Sequence, residues 1–522
     1  MAANSSGVSD AAAQSEAGIS RHTALGAAFL CGAGWLGTEI TAVRAFAPWF
    51  GTSAPVWSNV IAVLLAAGAA GALLGGRMTR CGQLRARAVL VGGGACVTLV
   101  LGALLVPWIA EGLVLPVGST PPEARSALTL GSLALSLSVL ATPVMCMSAL
   151  TPLLVSYGKQ SLGALLTAST CGGLLAVFAV NGAALHALGP RGVLSCAAVC
   201  YALVVLLLTR GSWRGIALCL FVLAGLFMNA AAGPDARAWP ADGTDDVEIE
   251  RLLLQESDYQ HLHLSRVRTD QGRTELRLAL DEGLGEFHSL RVEGQALTGQ
   301  YYDTLALAAL TACEQRTQPQ TLILGGGAGT LTHLLRSTAG ARLGAITSVE
   351  LDPAVSAVAT AMGTPTAPCD RVLAADARRC LAALDQRFDL IVLDAFARQL
   401  AIPAHLFTRE FLELARSHLA PMGLCAVNVS TQDLESPLMR ALLATLQEQF
   451  ASIEAISVPG AWSVILLCSV EPGRNMLPLA APAVLQSVLI SARGVRWTPS
   501  AASTARVLTD DLAPLEQLAR ER

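Results

Sequence analysis

The sequence is poor in charge and holds almost no lysine. Charged residues make up 14% of the 522 positions, hydrophobic residues make up 53%, and Lys159 is the single lysine among 35 basic residues. This balance is too apolar for an ordinary soluble protein. The basic residues do not cluster into a stripe with interleaved aromatic side chains, and the formal net charge is −4. We therefore set aside DNA or RNA binding and predict no nucleic-acid partner.

Metal-binding and disulfide patterns are also absent from the sequence. The 13 cysteines are scattered, without a CxxC pair or a zinc-ligand spacing. We therefore predict reduced thiols and no metal site. The polar, Ala/Ser-rich N-terminus lacks the basic and apolar regions of a cleaved signal peptide. We predict that residues 1–22 form a disordered tail.

Long apolar windows recur from residue 23 to residue 232. Small residues are frequent in them, as in the stretch from Ala66 to Gly76, and they allow helices to approach closely in lipid. The pattern predicts a multi-pass α-helical membrane domain in the cell (inner) membrane, with the lipid bilayer as a partner. Seven windows have about the 20 residues that cross a bilayer as a helix, at 24–43, 56–76, 88–109, 128–149, 163–187, 192–209 and 215–232.

The sequence gives conflicting indications about the orientation of this domain. A loop with four arginines, at 77–87, is expected on the cytoplasmic side. Seven spans would then place the C-terminal half outside, whereas the function argued below needs a cytosolic metabolite. Either one window holds two spans or none, or the charge rule fails. The segment 126–155, interrupted by Pro143 and Pro152, is the suspected place of a miscount, and we predict a cytoplasmic C-terminal domain.

After a linker at 233–248 the composition changes to that of a soluble α/β protein. Alternating apolar and polar residues at 261–269 and 274–281 predict strands of a small antiparallel β subdomain at 249–315. From Thr321 short apolar strands alternate with helical segments. This pattern predicts an α/β Rossmann-like, doubly wound domain of the class I methyltransferase type at 316–475. Residues 476–522 form a C-terminal extension.

Four glycines end the first strand of the Rossmann-like domain and open a helix. Because Gly325, Gly326, Gly327 and Gly329 have no Cβ atom, the backbone can turn tightly there and approach a ligand closely. Neither Lys nor Ser/Thr follows them in the spacing of a triphosphate-binding loop, and no second glycine unit serves the other half of a dinucleotide. The glycines therefore fit an adenosyl sulfonium better than ATP or NAD.

Carboxylates stand at the ends of the next three strands. In a doubly wound sheet, ligands bind at the carboxyl ends of the strands. Glu350 can hold both ribose hydroxyls of a nucleoside, and Asp376 can accept a hydrogen bond from an adenine amino group. Asp394 faces the same crevice. The alternative is that these acids cap the helices that follow them, which fits Asp376 best.

Residues 250–470 resemble the spermidine synthase (polyamine aminopropyltransferase) family. The apolar half followed by this domain is similar to fused transporter-like/spermidine-synthase-like membrane proteins, a subgroup that residues 394–411 and the tail LTDDLAP (508–514) resemble in particular. The matching motifs are ESDYQ (256–260), LALD (278–281), YYD (301–303), GGGAGT (325–330), VELDP (349–353), AADA (374–377) and DLIVLDAF (389–396).

The resemblance implies transfer of an aminopropyl group from decarboxylated S-adenosylmethionine, as co-substrate, to a small-molecule amine, with no cofactor or metal required. Asp394 would accept the proton of the amine, Gln260 would lie beside the nucleoside, and Tyr301 would line the acceptor channel. We also place Tyr302, where the family commonly has His, and Trp462 in this channel, with core packing as the alternative for Trp462. Family members often form dimers or tetramers, so a homo-oligomer is expected.

Two residues depart from the family at the cation-binding end of the site. Ala328 stands where the family usually has an aspartate that grips the amine end of the ligand. Ala397, followed by Arg398, stands where it has a second acid for the polyamine. Two other functions therefore stay open. One is an S-adenosylmethionine-dependent methyltransferase, and the other is a transporter whose soluble half senses a nucleoside without turnover.

Three further residues could compensate for the missing acids. His405 could reach the crevice as a replacement base, although an ordinary loop histidine is the alternative. Asp510 and Asp511 could restore acidity if the C-terminal tail folds back over the channel, and a solvated tail is the alternative.

Overall fold

The structure of the chain is a computed structural model, and two compact units divide it near residue 243. The predicted tail at 1–22 and the predicted linker at 233–248 lie almost wholly outside the described residues. The described residues are 19–50, 54–113, 121–158, 160–231, 248–257, 259–269, 271–280, 287–364, 367–395, 403–431, 433–498 and 505–518.

In its described part, the first unit consists of helices. The predicted apolar windows follow these helices, except that 163–187 runs through a π-helical turn (Val180–Ala184) into the next helix. The helices are α1 (Arg21–Phe50), α2 (Ala54–Met78), α3 (Leu84–Glu111), α4 (Pro121–Gly158), α5 (Leu162–Ala179), α6 (Leu185–Leu208) and α7 (Trp213–Ala231).

Five of the described helical segments are long and apolar enough to cross a membrane, judged by length and composition alone. They are Pro55–Cys81, Leu84–Glu111, Thr129–Gly158, Leu162–Ala184 and Ala187–Leu208. Helix α1 is not among them, and α7 contributes a shorter apolar segment, Trp213–Met228. Helix α4 continues through Pro143 and Pro152, so the expected interruption of 126–155 does not occur. The described break lies in α6 at Gly189, whose φ is 65°, directly before Pro190.

Glycines allow helices α2 and α4 to pack with their backbones in contact. A Cβ atom on Gly71 would lie 2.1 Å from the carbonyl oxygen of Met145, and one on Gly75 would lie 2.4 Å from that of Ala149. Both glycines belong to the small-residue stretch noted in the sequence. The close approach predicted for that stretch is therefore present, and a larger residue would force the two helices apart.

The second unit begins with a four-stranded antiparallel sheet in the order β1-β2-β3-β4. Its strands are β1 (Glu248–Glu256), β2 (His261–Arg268), β3 (Thr274–Leu280) and β4 (Ser289–Val292). Strands β2 and β3 are the two that their alternating pattern predicts. The outer strands β1 and β4 complete the sheet.

An eight-stranded sheet follows, in the order β12-β10-β11-β9-β8-β5-β6-β7. The central strands β7, β6, β5, β8 and β9 are parallel, whereas β11 is antiparallel to β9 and β10. This order is that of a class I methyltransferase-type fold, so the Rossmann-like prediction is confirmed. The strands are β5 (Thr321–Leu324), β6 (Ile346–Glu350), β7 (Arg371–Ala374), β8 (Phe388–Leu393), β9 (Leu419–Val429), β10 (Ser452–Ser457), β11 (Val464–Ser469) and β12 (Arg496–Trp497).

Helices cover both faces of the large sheet. On one face α8 (Tyr301–Gln315), α9 (Thr330–Thr338) and α14 (Gln486–Gly494) share an apolar core with alternate residues of the strands. On the other face the core includes α11 (Ala377–Ala383), α12 (Arg409–Ser417), α13 (Pro437–Gln447) and α15 (Leu515–Leu518). Helix α10 (Pro353–Ala361) packs with β2 and β3 of the small sheet. Helix α8 falls within the range predicted for the small subdomain, yet its side chains pack on the large sheet.

Candidate active site

A cavity of about 260 Å³ opens in the second unit at the carboxyl ends of the parallel strands. The predicted ligand position at this edge therefore coincides with a real concavity. Its polar lining residues are Gln260, His288, Ser289, Tyr301, Tyr302, Thr330, Glu350, Asp376, Asp394, His405, Asn428, Ser430 and Ser463, together with Gly325, Gly326 and Gly327.

Strand register brings Asp394 beside Asn428. Leu393 of β8 pairs with Val427 of the parallel strand β9, so the next residues along the two strands are neighbours. Leu390 and Val392 of β8 point into the core that α8 covers, and Asp394 continues this alternation past the end of the strand. The N-terminal residue of α8, Tyr301, lies over the same face.

Asp394 is held by two side-chain hydrogen bonds. The Tyr301 hydroxyl donates to its Oδ2 at 3.1 Å, and Asn428 Nδ2 donates to its Oδ1 at 2.8 Å. Burial raises the pKa of Asp394 from 3.8 to about 7, although these two hydrogen bonds act in the opposite direction. A carboxylate with a pKa near neutrality can gain and lose a proton at physiological pH, which suits a general base.

The residue after β5 must be a glycine, because the backbone of Gly325 lies against the backbone at the end of β8. Its φ is 96°, and a Cβ atom there would lie 2.3 Å from the carbonyl oxygen of Asp394. Any side chain would therefore push the backbone of Asp394 out of position. The first glycine of the run serves the placement of Asp394 as much as the approach of a ligand.

The backbone N–H groups of the glycine loop are already bonded within the protein. Those of Gly325 and Gly326 donate to the carbonyl oxygen of Val349, at 2.9 Å each. Gly327 N–H donates to Glu350 Oε2 at 2.8 Å, and Ala328 N–H donates to Ser289 Oγ at 2.9 Å. Gly329 N–H donates to the carbonyl oxygen of Gly326. A loop whose N–H groups are all satisfied is a poor cradle for phosphate, which agrees with the exclusion of ATP and NAD.

Glu350 links the glycine loop to the second strand. Besides the bond from Gly327, its Oε1 accepts a hydrogen bond from the N–H of Asp352 at 3.2 Å. Burial raises the pKa of Glu350, whereas the backbone N–H donors lower it. The N–H of Leu351 also bonds to this carboxylate, so one of the four lone pairs on its two oxygens stays free for a ribose hydroxyl in the cavity.

Gln260 is fixed in the cavity wall by Asp352, which is 1% exposed. Gln260 Nε2 donates to Asp352 Oδ2 at 3.3 Å, and the Ser257 hydroxyl donates to the same oxygen at 2.5 Å. The other carboxylate oxygen caps α10 by accepting from Ala354 N–H at 2.9 Å. Asp352 therefore holds the predicted nucleoside-contacting glutamine without lining the cavity itself.

Asp376 combines the two roles considered from the sequence. Its Oδ1 caps α11 by accepting from Arg379 N–H at 2.9 Å, and its Oδ2 lies 2.9 Å from His405 Nε2. Partial burial acts to raise the pKa of Asp376, but the bonds from Arg379 and His405 outweigh it and lower the pKa. His405 lines the cavity beside Asp376 and makes no described hydrogen bond to Asp394, so its described contact is with the predicted adenine-binding acid.

A second histidine, His288, lines the cavity with one ring nitrogen unpaired. Its Nδ1 accepts from Leu280 N–H at 3.2 Å, which leaves the proton of the neutral ring on Nε2. Nε2 is buried and has no hydrogen-bond partner. Burial lowers the pKa of His288 from 6.5 to about 4, so the ring is neutral at pH 7. The Tyr302 hydroxyl donates to the carbonyl oxygen of His288 at 2.9 Å.

The predicted acceptor-channel residues are only partly brought together. The rings of Tyr301 and Tyr302 stack with centroids 4.1 Å apart, and both line the cavity. Trp462 is 50% exposed and is not among the lining residues, although the next residue, Ser463, is. Gly329 caps α9 with a φ of 83° and packs on Thr364 outside the lining.

Of the residues that depart from the family, Tyr302 lines the cavity and Ala328 does not. Ala328 is fully buried in the apolar cluster between the small sheet and α10, so its side chain points away from the cavity. Ala397 and Arg398 lie outside the described residues.

The described part of the C-terminal tail, residues 505–518, packs on α11 and α12, and none of its residues is among those that line the cavity. Asp510 forms a bidentate ion pair with Arg378, at 2.7 and 2.6 Å, and accepts from the Thr408 hydroxyl at 2.7 Å. Leu508 is fully buried nearby. Asp510 is therefore neutralised by a partner outside the lining, and the expectation that Asp510 and Asp511 restore acidity in the channel is not met.

The charge of the cavity lining is negative. Glu350, Asp376 and Asp394 contribute carboxylates, and neither Lys nor Arg occurs among the described lining residues. Within the described ranges, moreover, no group of three or more His, Cys, Asp and Glu residues is arranged to hold a metal ion. Such a lining favours a cationic organic ligand over an anionic one.

The match to a known family covers the lining residues from Tyr301 onward, but not those contributed by the small sheet and the residues beside it. The family model described as the spermine/spermidine synthase domain matches residues 301–474, from Tyr301 past Ser463. This part of the chain is therefore similar to the spermine/spermidine synthase family. Among curated relatives, a probable polyamine aminopropyl transferase of Bifidobacterium longum is 30% identical over 254 residues, which are 44% of this chain and 55% of that protein.

A second curated relative, polyamine aminopropyltransferase 1 of Streptomyces coelicolor, is 28% identical over 235 residues, 43% of this chain and 41% of that protein. The chain thus spans about half the length of the curated relatives it matches. A probable spermidine synthase from Corynebacterium glutamicum is similar in structure, at 21% identity and a TM-score of 0.41, over 50% of this chain and 98% of that one. The spermidine synthase of Thermotoga maritima has 16% identity and a TM-score of 0.36, over 46% and 83%.

Three residues of this synthase-family site do not follow from the sequence reasoning above. Asp352 stands in the quoted VELDP motif, where Asp before Pro is a common helix cap, so its position was readable. Asn428 is the one polar residue in the apolar run LCAVNV, at the carboxyl end of its strand, which is the same signal that identified Asp394. His288 follows a loop and carries no comparable signal.

Proposed function

We propose that the second unit transfers the aminopropyl group of decarboxylated S-adenosylmethionine to an amine, and that the first unit holds it in the cell membrane. The observation that carries the proposal is Asp394. It is a carboxylate with a pKa of about 7, in a cavity where the charged groups of the described lining are acidic. This arrangement fits a cationic sulfonium donor and an ammonium acceptor, both of which would meet opposite charge.

The nucleoside would lie along the glycine loop. Glu350 keeps a free lone pair for a ribose hydroxyl, and Gln260 is held in place by Asp352 beside it. Asp376 faces the cavity from the next strand, with His405 as its neighbour. This half of the site binds and orients the donor, which converts a bimolecular reaction into one between two positioned groups.

The transfer step forms a carbon–nitrogen bond and breaks a carbon–sulfur bond. The amine nitrogen attacks the methylene carbon next to the sulfonium, and the bonding electron pair leaves with sulfur. The products are the lengthened amine and neutral 5′-methylthioadenosine. The proton that the attacking ammonium must lose goes to Asp394 Oδ2 or Oδ1. Because a neutral thioether leaves, the step needs no oxyanion stabilisation.

Tyr301 and Asn428 keep Asp394 aligned for this proton transfer. Each donates one hydrogen bond to a different carboxylate oxygen, so the plane of the carboxylate is fixed. A cation entering the cavity lowers the pKa of Asp394 from its raised value, because opposite charge favours the carboxylate. Asp394 would therefore be ionised when donor and acceptor are both bound.

The membrane location belongs to the same proposal. The five long apolar segments of the first unit support membrane spanning by length and composition, and a cytosolic donor requires the second unit on the cytoplasmic side. A reporter enzyme that is active only in the cytoplasm, fused after residue 522, tests this placement. Activity of the fusion is expected, and a silent fusion beside an active periplasmic reporter would refute it.

The decisive experiment offers the full-length protein in detergent two donors, decarboxylated S-adenosylmethionine and S-adenosylmethionine, with a panel of amines. Mass spectrometry of the amines is expected to show a mass gain of one aminopropyl group, with 5′-methylthioadenosine as co-product. A gain of one methyl group from the intact donor would establish methyl transfer instead. That second candidate has one observation in its favour, because the unpaired Nε2–H of His288 could meet the donor's carboxylate. Tight nucleoside binding without any product would favour a sensor.

A further inference from the structure

Asn428 lines the cavity and carries a buried hydrogen-bond acceptor without a partner. The residue is 2% exposed, and its Nδ2 donates to Asp394 Oδ1 at 2.8 Å. Its own Oδ1 is buried and has no hydrogen-bond partner. A buried acceptor without a partner is uncommon in folded proteins and calls for a physical reason.

The chemistry of Asp394 fixes the orientation of the Asn428 amide. In the ionised form that a bound cation favours, Asp394 accepts hydrogen bonds only, so the NH₂ group of Asn428 then faces Asp394, as in the structure, and the amide oxygen faces away from it. The backbone leaves little freedom to relieve this arrangement. Strand β9 lies between β8 and β11, and Asn428 is paired with Ile465 of β11. The unpaired oxygen is therefore built into the wall of the cavity beside the proposed base.

We infer that Asn428 Oδ1 accepts a hydrogen bond from the nitrogen of the attacking amine, and that this contact selects primary amines. The inference rests on the proposed function, since it places the acceptor amine at Asp394. A primary ammonium has three N–H groups and can reach both Asp394 and Asn428. After one proton passes to Asp394, a remaining N–H stays on Asn428, which orients the new lone pair. An N,N-dimethylated amine has one N–H as its ammonium and cannot bond to both residues.

The test compares amine binding in full-length wild-type protein and two variants. Asn428→Leu has a side chain of similar size and removes both the donor and the acceptor. Asn428→Asp keeps an acceptor but places a second carboxylate against Asp394. The control is Asn475→Leu, since Asn475 lies outside the cavity lining and bonds to Leu477 and Arg496.

Calorimetry with 5′-methylthioadenosine already bound measures the affinity for 1,4-diaminobutane and for its N,N,N′,N′-tetramethyl derivative, in which neither nitrogen is a primary amine. The wild type is expected to bind a primary amine at least about tenfold more tightly than a fully N,N-dimethylated diamine. Asn428→Leu should lose about tenfold in affinity for the primary amine and lose the discrimination. The affinity of Asn428→Leu for 5′-methylthioadenosine should stay within about twofold of wild type. The control Asn475→Leu should bind 5′-methylthioadenosine and both amines within about twofold of wild type.

Asn428→Asp separates a direct contact from a merely structural role. Two neighbouring carboxylates share a proton, so the pH at which amine binding sets in should rise by about one unit or more while the primary-amine preference remains. Unchanged amine affinity and unchanged pH dependence in both variants would overturn the inference, and so would a wild-type complex that binds no amine at millimolar concentration. A third outcome separates the two proposals. If wild type binds amines without turnover and Asn428→Leu loses amine binding, the contact is supported and the proposed reaction is refuted.

Discussion

Replacing Asp394 by Asn should abolish transfer and at the same time stabilise the unliganded second unit at alkaline pH. The substitution keeps the size and planarity of the side chain. Its oxygen can still accept from Asn428 Nδ2, and its NH₂ group can donate to the oxygen of Tyr301, so both present contacts are preserved in kind. The ability to take a proton from the amine is lost, and general-base catalysis contributes about 10²- to 10⁴-fold. Turnover should fall by that factor, whereas affinity for 5′-methylthioadenosine should change by less than about twofold.

The stability gain follows from the direction of the pKa shift. Asp394 has a pKa raised from 3.8 to about 7, so between these values the folded state holds a proton that the unfolded state has released. Folding stability therefore falls as pH rises through this window. A shift of this size corresponds to about 4 kcal/mol at pH 8 relative to pH 3. Asn does not titrate, so Asp394→Asn removes that loss, and at roughly 2 °C per kcal/mol its unfolding midpoint should rise by about 8 °C at pH 8.

The assay pairs turnover with thermal unfolding of full-length protein at pH 5 and pH 8, without ligand. Asp389→Asn is the matched control, because Asp389 lies at the other end of β8 and bonds to Arg316 and to the N–H of Gln320. The control should lose stability and keep its turnover per folded molecule. Unchanged product formation by Asp394→Asn refutes the base assignment. A midpoint that does not rise at pH 8 refutes the buried, neutral state of the side chain.

Three other substitutions test separate parts of the site. Glu350→Gln places an NH₂ group toward either the Gly327 N–H or the ribose. Calorimetry should therefore show about 10- to 100-fold weaker binding of 5′-methylthioadenosine. Unchanged binding would contradict the proposed contact between Glu350 and the ribose. Gly325→Ala forces a Cβ atom against the backbone of Asp394, and should cost more than about 2 kcal/mol in unfolding experiments; a neutral result would contradict the described loop. His288→Asn keeps an acceptor for the Leu280 N–H but does not titrate. The His288 ring by itself should cost wild type roughly 3 kcal/mol between pH 6.5 and 4, because the unfolded state gains the proton first. Over this range the unfolding free energy of the variant should therefore rise relative to that of wild type by about this amount.

Site residues whose positions follow from strand geometry could be predicted from the sequence. Parallel strands end at one edge of a sheet, so an acid after each strand predicts acids around one cavity, and Glu350, Asp376 and Asp394 all line it. The glycine pattern located the loop for the same reason. The order of the strands follows the fold class, and the eight-stranded sheet matches it.

Contacts that depend on strand register or on the path of irregular segments could not be predicted from the sequence. Asn428 becomes important only because β9 pairs with β8 in a register that places it at Asp394. His288 lines the cavity directly before β4 begins, at a position that no periodic pattern in the sequence identifies. The roles of Asp510 and Trp462 were also open, since both lie in irregular segments whose direction no periodic pattern fixes. Asp510 is bonded to Arg378, and Trp462 stays half exposed.

The conformation of the glycine loop also changes the effect that we infer for the alanine at position 328. From the sequence, an alanine at this position removes a carboxylate from the cation-binding end of the site. In the structure its methyl group packs against Leu278, Val355 and other apolar side chains, its N–H bonds to Ser289, and the loop offers no route for that side chain into the cavity. The negative charge that attracts a cationic ligand therefore comes from the three strand-end acids, which are all present, and the substitution at 328 leaves that charge intact. Recognition by summed charge is less selective than a direct grip on one amine, so we expect this site to accept a wider range of cationic donor tails than a family member with the aspartate.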